Sequence, residues 1–195
     1  GIAFKMQPEE IDGLLNNYFT TLTEIIFHFN GTVDKFIGDA VMGVFGSPLY
    51  ISSHLEYGVK AAFGINRALE EINRLREKRK AVQFPMGIGL DSGFVVAGSM
   101  GSKVRMEYTV IGNPVNTASR LSDIAKGGEI LVSKDVYAKI AGNVTAVEMP
   151  EINIKGIEKY FTLYNIIGLK GEWEKESRET IHMVMNKMGR EGIAF

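Results

Sequence analysis

One stretch constrains the fold more than any other, residues 32–48, which read TVDKFIGDAVMGVFGSP. Two short apolar runs, residues 35–37 and 40–45, flank the step Gly38-Asp39. Strand-like runs separated by two residues, one of them glycine and the other aspartate, predict a β-hairpin. The order Gly-Asp is the reverse of the commonest hairpin turn. Asp39 is the physical oddity, a carboxylate amid core-type residues. A buried charge is costly unless a partner or a metal compensates it. An aspartate at a turn tip can instead bond its own backbone. Taken alone, the stretch leaves both readings open.

The chain around this hairpin has 195 residues, enough for one substantial core and too few for two comfortable ones. A net charge of -1 supplies no electrostatic drive toward nucleic acid or an anionic membrane. The absence of cysteine excludes a disulfide scaffold and thiolate chemistry, and fits a reducing compartment. No apolar run approaches the roughly 20 residues of a membrane span. The opening GIAFKMQPEE lacks the basic segment and long apolar stretch of a signal peptide. The expectation is one soluble, cytoplasmic domain without a nucleic-acid partner or membrane contact.

Pro8-Glu9-Glu10 opens a long amphipathic helix, with proline and acids where a first turn favours them. Its stripe runs through Ile11, Leu14, Leu15, Tyr18, Phe19, Leu22, Ile25, Ile26 and Phe29, and Asn30-Gly31 closes it. His28 lies beside the stripe and has no second ligand one turn away, so it reads as a partly exposed helix residue. A second helix is predicted over residues 54–80, ending in the basic run RLREKRKA, which reads as a solvated terminus complementing the helix dipole. Strands are expected over 83–90, 94–98, 107–111, 129–132, 144–148 and 162–167, and short helices over 115–125 and 134–140. The polar run SMGSKVR, residues 99–105, predicts a flexible projecting arm. Helices among strands joined by short turns predict an α/β plan with a mostly antiparallel sheet. Beyond Gly168 the chain turns charged and then methionine-rich, which suits a helix docked loosely on the domain or on a partner, with Ile181, Val184, Met185 and Met188 as its short apolar stripe.

Four blocks in order resemble the catalytic domain of class III nucleotidyl cyclases: VDKFIGDAVMGVFGSP, GIGLDSGFVVAGSMGS, EYTVIGNPVNTASRL and INIKGIEKYFTLY. The resemblance covers roughly residues 8–167 and divides the chain into a catalytic domain, 1–168, and a helical extension, 169–195. It implies a ferredoxin-like α+β sandwich and a head-to-tail homodimer with sites at the interface. It also implies a reaction, cyclisation of ATP or GTP to the 3′,5′-monophosphate with loss of pyrophosphate.

That chemistry requires in-line attack of the 3′-hydroxyl on the α-phosphate and stabilisation of the leaving pyrophosphate. The resemblance implies two Mg2+ or Mn2+ ions, and Asp39 matches one of the family's two metal aspartates. Lys35 matches the position where adenylate cyclases carry lysine and guanylate cyclases usually carry glutamate. Lysine only donates, which suits the N1 acceptor of adenine. Thr109 matches the partner position, where its hydroxyl can accept from the adenine amino group. Together they point to ATP. Asn116 and Arg120, four apart on one helix face, match the residues that position the ribose and stabilise the transferring phosphate. Lys155 matches the lysine on the terminal phosphates. In the implied dimer Asp39 serves one site and the other five serve the second.

One departure bears on activity. The family's first strand carries the other metal aspartate in a motif like F-x-D-I-x-G-F, whereas GIAFKMQ holds no carboxylate and Asp12 does not match. The first strand is thus expected to be missing. The terminal REGIAF, repeating the Gly-Ile-Ala-Phe of residues 1–4, is a candidate for its place. The alternative to catalysis is a nucleotide-binding or dimerisation module without turnover. A diguanylate cyclase reading rests only on Gly127-Gly128-Glu129, which a turn into a strand explains.

Overall fold

The computed structural model describes residues 8–150 and 162–190. Helix α1 (Pro8–His28) buries Leu14, Tyr18, Leu22, Ile25 and Ile26 of the predicted stripe, with Leu22 and Ile25 fully enclosed, while His28 is exposed. It stops because Asn30 takes a left-handed φ of 55°, which asparagine tolerates better than most residues. Strands β1 (Gly31–Ile37) and β2 (Ala40–Phe45) then form the expected antiparallel hairpin. Gly38, at φ 62°, occupies the first turn position, the place a type II′ hairpin assigns to glycine. This explains the inverted Gly-Asp order.

Helix α2 (His54–Lys78) packs against α1 on one face and against the larger sheet on the other. That sheet orders its strands β3 (Ile88–Leu90), β6 (Ile130–Ser133), β8 (Leu163–Leu169) and β7 (Val144–Glu148). The β3–β6 pair is parallel and the other two pairs are antiparallel. Strands β4 (Val96–Ser102) and β5 (Arg105–Ile111) form a separate ribbon. The expected arm at 99–105 is part of it, since pairing continues to the register Ser102↔Arg105. Helix α3 (Asn113–Ile124) lies on β3, and α4 (Lys134–Ile140) follows β6 with Ser133 capping it by accepting from the Val136 N–H.

Two further expectations need correction. The strand over 83–90 contracts to three residues because α2 takes over the backbone before it. Asn73 donates to Phe84 O at 3.0 Å and accepts from Phe84 N at 2.7 Å. Arg76 Nε donates to Val82 O beneath the Phe84 ring. Arg76 is therefore buried, and the basic end of α2 is not wholly solvated. The second correction concerns α5 (Gly171–Arg190), which is firmly seated: Val184 and Met188 are fully buried in the core with α1 and α2. Lys60 of α2 fastens it, with its ammonium 2.5 Å from both Glu56 and Glu176 and its side chain 2% exposed.

Candidate active site

The ribbon and the hairpin meet where β1 touches β5. There Lys35 Nζ donates to Thr109 Oγ1 at 3.2 Å, so the two base-reading candidates, 74 residues apart in sequence, share one contact. The cluster contains two further carboxylates. Thr109 donates its hydroxyl proton to Asp34 Oδ2 at 3.0 Å, and Lys35 lies 3.4 Å from the same oxygen. Glu107 approaches Lys35 at 3.9 Å. A hydrogen bond from Arg105, with its charge and that of Lys35, holds the Glu107 carboxyl below its usual range. Asp34 escaped the sequence reading. Its signal was two adjacent charges inside a strand, where alternation calls for one face of each kind.

Asp39 stands at the tip of the hairpin, at the rim of a cavity of about 580 Å³. Strand β2 forms one wall and β3 the opposite wall, with α1 and α2 beneath. Among the described residues β2 pairs only with β1 and β3 only with β6, so the cavity lies between two strand edges. Residues 1–7 and all of the candidate segment REGIAF after Arg190 lie outside the described residues. Tyr18 of α1 lines the cavity. Burial, and then the charge of Asp39, push its phenol well above the usual range, so it stays a neutral O–H donor at physiological pH.

Asn116 and Arg120 sit one turn apart on α3. Asn116 is exposed and lines the same cavity as Asp39, while Arg120 is half-buried. Two glycines set the height of this helix over the sheet. A Cβ on Gly89 would lie 2.2 Å from Ala118 O, and one on Gly87 would lie 2.3 Å from Ala125 O. Lys155 lies outside the described residues.

The fit to a divalent ion is partial. Asp39 is a hard oxygen donor of the right kind, and Asp91 lines the same cavity but already accepts from Ser133 at 2.7 Å. Among the described residues no three metal-binding side chains gather. The carboxylates among the described residues therefore do not by themselves hold two ions.

A sequence profile of the adenylate and guanylate cyclase catalytic domain matches residues 1–168. Adenylate cyclase 1 of Rhizobium meliloti is 30% identical over 164 residues, which is 83% of this chain and 25% of that protein. The chain thus spans about a quarter, or less, of the length of the curated relatives it matches. Among solved structures, the adenylyl cyclase CyaB from P. aeruginosa superposes with a TM-score of 0.79 at 28% identity, covering 86% of this chain and 87% of the other. The guanylyl cyclase Cya2 gives 0.79 at 28% identity over 86% and 85%.

Proposed function

The chain belongs to the family of adenylate and guanylate cyclase catalytic domains, and from that membership we propose that it converts ATP to 3′,5′-cyclic AMP and pyrophosphate. The observation that carries the choice of base is the Lys35–Thr109 contact at 3.2 Å. Lysine offers only donors, which match adenine N1, and a threonine oxygen can accept from the adenine amino group. Guanine reverses both edges, presenting N1–H to a cation.

Asn116 orients the ribose and Arg120 stabilises charge on the transferring phosphate with its fixed fork of donors. Lys155 contacts the terminal phosphates. A bound Mg2+ or Mn2+ would supply Lewis-acid chemistry at the attacking hydroxyl and the phosphates. Asp39 supplies one carboxylate toward such an ion. The partner is a second copy of this chain, arranged head to tail. Exposed apolar side chains on and beside the ribbon, Phe94, Val96, Val104, Met106, Tyr108 and Ile111, favour such an association. Among the described residues no helix is long and apolar enough to cross a membrane, in keeping with action as a cytoplasmic catalytic segment.

The test is turnover of ATP and of GTP with Mn2+, with the cyclic products separated by chromatography. Cyclic AMP is expected in excess, lost in Asp39→Ala and shifted toward cyclic GMP in Lys35→Glu. Equal or greater turnover of GTP by the wild-type chain defeats the base assignment. A second reading, a nucleotide-binding module without turnover, draws support from the small carboxylate set around Asp39 among the described residues. It predicts an ATP-dependent rise in Tm with no cyclic product.

A further inference from the structure

In a regular strand neighbouring side chains point to opposite faces. Asp34 and Lys35 break that rule, since both reach Thr109. The cause is a bulge. Val33 pairs with Gly43 and Lys35 with Met42, which leaves Asp34 as the extra residue of β1. A bulge re-aims a side chain in this way, and it turns the Asp34 carboxylate inward until its side chain is 5% exposed.

A threonine hydroxyl has one proton and two lone pairs, and it rotates to suit its neighbours. Alone it cannot distinguish a 6-amino purine, which donates, from a 6-oxo purine, which accepts. Here its options are used up. Lys35 can only donate, so it occupies one lone pair at 3.2 Å. The Asp34 carboxylate can only accept, so it takes the proton at 3.0 Å. What remains of the hydroxyl is a single lone pair.

We propose that Asp34 is a positioning residue for base selection: by holding the Thr109 proton it makes the Thr109 oxygen an obligate acceptor, which admits a 6-amino purine nucleotide and rejects a 6-oxo one. The proposal rests on the reading that Lys35 and Thr109 face the base. Asp34 also lies 3.4 Å from Lys35 Nζ, and removing the Thr109 hydroxyl separates that ion pair from the hydrogen bond on which the proposal turns. An asparagine at this position can present its amide N–H₂ to the threonine oxygen, freeing the hydroxyl proton to turn toward a 6-oxo group.

The test compares ATP with GTP, both as the ratio of kcat/KM values and as the ratio of Kd values from competition against a fluorescent nucleotide. Asp34→Asn is expected to lower the ATP preference roughly tenfold, the worth of one hydrogen bond to a charged group. In a Thr109→Val background the same substitution should leave the ratio within about twofold, because no hydroxyl remains to orient. In a Thr109→Ser background, which restores the hydroxyl, the drop should return. A merely structural role for Asp34 would weaken both nucleotides alike, and an unchanged ratio overturns the proposal. So does an equal drop in the valine background. If the wild-type chain prefers ATP and Asp34→Asn leaves that preference intact, only the role of Asp34 fails. A wild-type chain with no ATP preference overturns the base reading and the role of Asp34 together.

Discussion

Replacing Gly89 by alanine puts a methyl group 2.2 Å from Ala118 O, 2.3 Å from Ser122 N and 2.7 Å from Leu121 Cβ. Two of these atoms are α3 backbone, so no side-chain rotation relieves the clash. Reaching ordinary van der Waals separation takes a shift of about 1 Å between β3 and α3. Leu121 is wholly buried with Leu131 and Leu163 beneath it, so the helix has to lift off its own contacts. Overpacking of this kind costs about 2–3 kcal/mol, or roughly 5–10 °C in Tm for a chain of this size. The effect on turnover should be larger, because α3 carries Asn116 and Arg120, the residues proposed to contact the ribose and the transferring phosphate. A misplacement of ~1 Å at a reacting centre costs on the order of 100-fold. Cyclic nucleotide formation and Tm measured side by side separate the two effects. Gly98→Ala is the control, since a Cβ at that position meets nothing within 4 Å. If Gly89→Ala loses turnover only in proportion to its unfolded fraction, β3 does not set the position of α3 and the reasoning fails.

Lys60→Met should lower stability by about 1–2 kcal/mol at neutral pH, the worth of its charged hydrogen bonds. Burial pulls the Lys60 ammonium down, but hydrogen bonds with Glu176 and Glu56 and their charges outweigh it and leave its pKa raised. Its stabilisation is therefore complete below the ordinary lysine value near ~10.4 and fades as pH rises through the folded one. Thermal melts from pH 7 to 12 should show the gap between wild type and Lys60→Met closing only above about pH 10; a gap constant with pH would refute the linkage. Asn73→Ala strips both partners from the Phe84 backbone and should cost about 2 kcal/mol, with faster amide exchange at Phe84 as the local signature.

Much of this fold could be read from periodicity, because its strongest signals are local. The α1 stripe and the apolar runs on either side of Gly38 needed no tertiary information. Residues 83–87 were misread as strand because QFPMGIGL alternates well, while the groups that claim the backbone there, Asn73 and Arg76, belong to the preceding helix. The methionine-rich end looked loosely docked because Lys60 and Glu176 are 116 residues apart, and no local pattern reveals such a partner. At the site, Lys35 and Thr109 were found through motif resemblance and then met in space. Asp34 was missed because a bulge is a fault in alternation, and two consecutive charges look like a solvated edge until the ladder is seen to slip.

The hairpin turn has a consequence for how such a chain can vary. Ile37 pairs with Ala40, so only Gly38 and Asp39 lie between the paired strands. Lys35 and Asp39 therefore stand on one short stretch of backbone with no slack. One residue inserted or deleted between them would reverse the facing of every side chain beyond it and carry Lys35 or Asp39 away from its place. Length variation is thus excluded from this segment, and substitution alone is open to it.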